Sequence, residues 1–146
     1  MTIALNVEDI GAMLTRLADR EANCNKRKIA CALLNKHGEV LSTGVNGAPR
    51  LLGDCILDPS ICPGRDPENK GKSLTGCYGI HAEIRALKDC KNIDAIRYLV
   101  STKAPCTQCV LAMMTTPCHT IYFLTPSNET LNQELWGKVQ GNWEQV

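Results

Sequence analysis

Two short stretches hold the residues best suited to chemistry. Pro105-Cys106-Thr107-Gln108-Cys109 places two thiols three residues apart, directly after a proline. Proline is favoured at the opening of a helix, where its missing N–H is no loss. Positions i and i+3 of a helix share a face, so both sulfurs point the same way from one helix end. That suits two corners of a tetrahedral metal site. His81-Ala82-Glu83 offers a third corner in His81. Three protein ligands leave a fourth position for water, the arrangement of a catalytic rather than a structural zinc. Glu83 lies two residues from His81, placed to face that water without ligating the metal. Taken singly, each piece has an ordinary reading: a surface histidine, a pair of buried thiols, a helix start. Their combination and order point to a metal.

Both stretches need elements that aim them. Asn6 is a plausible N-cap with Glu8 and Asp9 in the first turn, and Ile10, Met13, Leu14, Leu17 and Ala18 follow at helical spacing. This predicts a helix over residues 7–22. Residues 28–35 form a short apolar run that reads as a buried strand, 36–39 as a turn, and 40–45 as the returning strand. Residues 46–80 are rich in Gly, Pro and Cys and lack periodicity, so a functional loop or a clipped segment is expected there. A helix is predicted from His81 to near Cys90, a strand over 95–101, and a helix from Pro105 to Pro117. A strand at 120–124, a short helix over 129–136 and a polar tail complete the chain. The order is helix, hairpin, loop, helix, strand, helix, strand. It implies one α/β domain over residues 1–146, a three-layer sandwich with a mixed sheet and helices on both faces.

The totals narrow the partners. Sixteen basic and fifteen acidic side chains among 146 residues give a net charge of +1. That is no footprint for a long phosphate backbone, although two or three local cations would serve a small anion. Two tryptophans, three tyrosines and one phenylalanine give little for stacking successive bases. No stable nucleic-acid partner is expected, and no apolar run reaches membrane-spanning length. Residues 1–9 lack the basic start and apolar stretch of a secretory signal. Nine cysteines without such a signal read as reduced thiols and metal ligands in a cytoplasmic protein.

H-x-E followed by P-C-x-x-C is the signature of zinc-dependent base deaminases. Over roughly residues 7–125 the chain resembles the cytidine deaminase superfamily, in the branch whose first ligand is His. Within that branch it is most similar to deoxycytidylate deaminases. Gly44-Val45-Asn46-Gly47-Ala48-Pro49 matches their G-Y-N-G-x-P strand end except at Val45, and Cys24 and Arg27 match a Cys and a basic residue before the first strand.

The resemblance implies that His81, Cys106 and Cys109 bind Zn2+, which activates a water. Glu83 would take its proton, deliver it to N3 of the pyrimidine, and then protonate the leaving amine, converting dCMP to dUMP and ammonia. Asn46 would bond the sugar 3′-hydroxyl, and the Ala82 N–H would donate to the ring carbonyl. For the 5′-phosphate, Arg27 is the first candidate among Lys26, Arg27, Lys28, Arg50 and Arg85; a solvated strand edge is the plain alternative. Arg85 stands where the family's H-A-E-x-N-A usually has Asn. Cys24 and Cys55 resemble two ligands of a second, structural zinc, which Cys62 and Cys77 could complete; unpaired thiols are the alternative. Cys31, Cys90 and Cys118 read as small buried residues. The resemblance also implies a homo-oligomer, often a hexamer. Competing readings are a deaminase of a 5-substituted dCMP, a free nucleoside or a nucleic-acid base, or a non-catalytic zinc module of the same fold.

Overall fold

The computed structural model describes residues 6–24, 27–53, 79–127, 129 and 131–146. Lys26, Cys55, Cys62 and Cys77, and the side chain of Arg50, lie outside the described residues.

Five strands form one sheet in the order β2-β1-β3-β4-β5, namely β1 (Ala30–Leu34), β2 (Val40–Val45), β3 (Tyr98–Lys103), β4 (Thr120–Thr125) and β5 (Asn142–Gln145). β1 runs antiparallel to both of its neighbours, while β3, β4 and β5 are parallel. Parallel neighbours need crossovers. These are α3 (Thr107–Met113), between β3 and β4, and α4 (Leu131–Gly137), between β4 and β5. α1 (Val7–Glu21) and α2 (Ala82–Asp89) precede β1 and β3. The sheet is mixed and helices cover both of its faces, as the sequence predicts.

β1 is the middle of the sandwich, and all five of its residues are buried. Its two faces feed separate cores. Ala30, Ala32 and Leu34 pack with Val100 against Val7, Leu14 and Ala18 of α1. Cys31 and Leu33 turn the other way, toward Ala82 and Ala86 of α2, Val110 and Met113 of α3 and Trp136 of α4. A strand covered on both sides reads as a continuous apolar run instead of an alternation. Cys31, Cys90 and Cys118 are buried in this second core, as expected.

Three elements differ from the sequence prediction. α3 spans Thr107–Met113 instead of 105–117, with Cys106 at its N-cap and Pro105 before it. β3 begins at Tyr98 and not at 95, because Ile93–Ala95 close a tight turn in which the Ala95 N–H donates to the Asn92 carbonyl at 3.1 Å. The expected polar tail contains β5, whose one inward side chain, Trp143, stacks on Phe123 at 5.3 Å.

Candidate zinc centre

His81 and Cys106 occupy equivalent places, each the N-cap of a helix. N-cap side chains usually accept a backbone N–H of their own first turn. Neither does so here. Instead His81 Nδ1 lies 3.3 Å from Cys106 Sγ and 3.4 Å from Cys109 Sγ. The three donor atoms fall within 4.8 Å of one another. A tetrahedral zinc with ordinary Zn–N and Zn–S bonds sets N···S edges of about 3.6 Å, so the donor set fits the ion. Cys109 is buried and Cys106 half-buried. The bond from Cys109, with His81 alongside, draws the Cys106 thiol down to about 4 against the effect of burial. That same bond to Cys106, reinforced by burial, holds the proton on Cys109. Zinc takes cysteine as thiolate, so an ion on these donors would displace the proton that Cys109 holds.

Glu83 faces this cluster from the first turn of α2 and is only 4 % exposed. Burial raises its carboxyl above the usual carboxylate range, against hydrogen bonding from Cys109 and the nearby His81. Ser101 Oγ donates to Glu83 Oε1 at 3.3 Å. Ala82 is the first residue of α2, where the helix offers its N–H no acceptor.

α2 reaches the sheet because Gly44 has no side chain. A Cβ there would strike the Ala82 carbonyl oxygen and come within 2.7 Å of the Ala86 nitrogen. Ser42 Oγ donates to the Ala86 carbonyl at 2.7 Å and fastens the helix to β2. The end of β2 then turns through Asn46. Its Oδ1 accepts the Ile29 N–H at 2.8 Å and its Nδ2 donates to the Arg27 carbonyl at 2.9 Å. By valence the amide has a second N–H and a second lone pair beyond these two bonds. Arg85 points back from α2 to the same turn.

Arg27, Lys28 and Lys103 line a cleft of about 360 Å3 together with Thr15, Thr102 and Thr125. Lys28 Nζ is committed to the Asp19 carbonyl at 3.1 Å. Burial and the neighbouring Arg27 charge lower the Lys103 ammonium below its usual value, opposed by Glu129. Cys24 is buried and its sulfur accepts the Arg27 N–H at 3.3 Å. Its three expected companions are among the residues not described.

Sequence reasoning missed the support of the α3 end. Glu129 Oε2 accepts the Thr107 N–H at 3.1 Å and takes over the capping that Cys106 does not perform. The Thr107 hydroxyl lies 2.9 Å from Glu129 Oε2 and 2.7 Å from Asn132 Oδ1. Asn132 Nδ2 bonds Glu129 at 2.7 Å and the Pro105 carbonyl at 3.2 Å. These bonds, first those from Asn132 and Thr107, hold the Glu129 carboxyl below its usual range. No local spacing announces a bond across 22 residues.

A family model, the cytidine and deoxycytidylate deaminase zinc-binding region, matches residues 6–125. The chain belongs to this family. It is 31 % identical over 99 residues to the deoxycytidylate deaminase of Schizosaccharomyces pombe, covering 66 % of this chain and 30 % of that protein. It is 33 % identical over 95 residues to the deoxycytidylate deaminase of Mycobacterium phage D29, covering 63 % of this chain and 73 % of the phage protein. The chain thus spans less than a third of the length of the yeast relative. The dCMP deaminase of cyanophage S-TIM5, solved in complex with dCMP and dUMP, superposes with a TM-score of 0.72 at 18 % identity, covering 95 % of both chains. That likeness establishes the fold, a cytidine-deaminase-like sandwich. The family's zinc corresponds to the His81-Cys106-Cys109 cluster.

Proposed function

We propose that this protein hydrolyses the amino group of dCMP to give dUMP and ammonia. The observation that carries the reading is a carboxylate, Glu83, buried at the edge of a three-donor zinc site and bonded by one of the ligands. A purely structural zinc needs no carboxylate beside it. His81, Cys106 and Cys109 would hold the zinc, which when bound would lower the pKa of its water toward neutrality. Glu83 takes a proton at its carboxylate and passes it to N3 of the pyrimidine as water adds at C4. It then collects the proton of the hydroxyl added at C4 and supplies it to the amine, so that the C4–N bond breaks as the C4 carbonyl forms and ammonia leaves. Ser101 bonds Glu83 Oε1 and so orients the carboxylate that moves the proton. The Ala82 N–H donates to the ring carbonyl, and Asn46 meets the sugar 3′-hydroxyl. Arg27, with Lys103 across the cleft, receives the 5′-phosphate.

Relatives named deoxycytidylate deaminases support the substrate choice. A panel of dCMP, 5-methyl-dCMP, deoxycytidine, dCTP and single-stranded DNA, followed by ammonia release, tests it; dCMP should be preferred. Glu83→Gln should keep its zinc and lose about 10²–10⁴ in kcat. Full activity in that variant would overturn the mechanism. We further propose a homo-oligomer in the cytoplasm, supported by the exposed Leu51, Leu52 and Leu131 and by the six free thiols among the described residues. Light scattering checks the assembly. A second, structural zinc on Cys24, Cys55, Cys62 and Cys77 predicts two zinc ions per chain, and metal analysis finding one would refute it.

A further inference from the structure

Arg85 shares the first turn of α2 with Glu83, yet its side chain serves another segment. Its Nη2 donates to the Gly47 carbonyl and to the Ala48 carbonyl, each at 3.0 Å. Both acceptors are doubly used. Gly47 O also takes the Ile80 N–H at 2.8 Å, and Ala48 O also takes Asn23 Nδ2 at 3.2 Å. The Gly47 N–H returns a bond to the Ile80 carbonyl at 3.1 Å. Gly47 has φ +149°, and a Cβ on it would strike Asn23 Oδ1, so the turn admits only glycine there. Among the described residues the guanidinium has no carboxylate in salt-bridge range; the one ion pair is Arg20–Glu21. Its charge is directed at two main-chain carbonyls on the residues that follow Asn46. The two hydrogens of one guanidinium nitrogen, held in the plane of the group, serve the two acceptors at once.

Asn46 is fixed from the opposite side, by the Ile29 N–H and the Arg27 carbonyl. Arg85 therefore ties the helix carrying Glu83 to the turn carrying Asn46. We propose that Arg85 is a positioning residue that sets the spacing between the Glu83 carboxylate and the Asn46 amide, and thereby makes the site select a sugar with a 3′-hydroxyl. The proposal rests on the reading of Asn46 as the sugar contact. Loosening the clamp leaves the zinc ligands in place and Asn46 on its own two bonds, but removes the tie between α2 and the turn, so that a substrate seated beside Glu83 no longer brings its hydroxyl to the amide.

The test compares wild type with Arg85→Ala, Arg85→Gln and Arg85→Lys, each assayed with dCMP and with 2′,3′-dideoxy-CMP, which lacks the hydroxyl. Zinc content and the hydrogen exchange of the Gly47 and Ile80 amides are measured in parallel. Arg85→Ala should raise KM for dCMP about tenfold, the scale of the one hydrogen bond between the Asn46 amide and the hydroxyl. Its kcat should change less than about threefold, KM for the dideoxy substrate should stay at the wild-type value, and zinc should stay bound. Lys, with its charge, should recover part of the loss; Gln should recover less. Unchanged KM, or an equal rise for both substrates, would overturn the proposal. If Arg85→Ala does not fold, the Gln and Lys variants are held to the same split. If the wild type deaminates neither nucleotide, the deaminase reading fails and with it the selectivity. The clamp is then judged by exchange alone: faster Gly47 and Ile80 exchange in Arg85→Gln sustains it, and unchanged exchange refutes it.

Discussion

The two helix starts that supply the zinc ligands are held in different ways. The α2 start is keyed largely to main chain. Gly44 admits it to the sheet, Ser42 bonds the Ala86 carbonyl, Ile80 pairs with Gly47, and Arg85 grips two carbonyls of the following turn. The α3 start is keyed by side chains from the far end of the fold, Glu129 and Asn132, acting on Thr107 and Pro105. Both N-cap residues have given up capping to face the metal. The rigid end carries Glu83, which on the proposed mechanism has to be kept within a fraction of an ångström of the reacting atoms. The adjustable end, held by side chains with rotamer freedom of their own, carries the two sulfurs.

Attacking the rigid end should have the largest effect. Gly44→Ala drives a methyl into the Ala82 carbonyl and toward the Ala86 amide, neither of which is the loose end of a side chain. Overpacking of this kind costs about 1–3 kcal/mol, and here it also displaces Glu83. A lower denaturation midpoint together with a fall in kcat is expected. A variant of wild-type stability and activity would show that α2 is not keyed to β2 as described.

The adjustable end should respond next, and in a different observable. Glu129→Ala removes the acceptor that caps α3 and satisfies Asn132. Outer partners of metal ligands contribute about 10–100-fold in affinity or activity, so zinc should be lost to a competing chelator at correspondingly lower concentration. Glu129→Gln keeps an acceptor oxygen for the Thr107 N–H and should retain most of that affinity. If both variants hold zinc like the wild type, the side-chain key is decorative.

The asymmetry also explains what was legible in the sequence. His81-x-Glu83 and Pro105-Cys106-x-x-Cys109 are local patterns, because a ligand at a helix start advertises itself by spacing. The β1–β2 hairpin and α1 were equally readable, since each buries a continuous or periodic apolar set. β5 was not, because four residues with a single inward tryptophan look like a polar tail. Nor were Glu129, Asn132 and Ser42, whose bonds join residues 22 to 44 positions apart and leave no local trace. Arg85 stood out only as a departure from the expected motif, and its two carbonyl partners give that departure a physical role.

The smallest effect should come from Ser42→Ala, which separates the two keys most finely. The last four carbonyls of a helix have no intrahelical partner, and in α2, which ends at Asp89, Ala86 is the first of them. The Leu87 carbonyl is met by the Cys90 N–H, and the Ala86 carbonyl by the Ser42 hydroxyl. Removing that hydroxyl strips one partner from a part-buried acceptor and should cost about 1 kcal/mol of stability. Gly44, Ile80 and Arg85 still hold the start of the helix, so kcat, KM and zinc affinity should remain at wild-type values. Denaturant unfolding beside steady-state kinetics measures both sides. If Ser42→Ala weakened zinc as much as Glu129→Ala does, the α2 end would be no more rigid than the α3 end, and the division between a fixed carboxylate and adjustable sulfurs would fall.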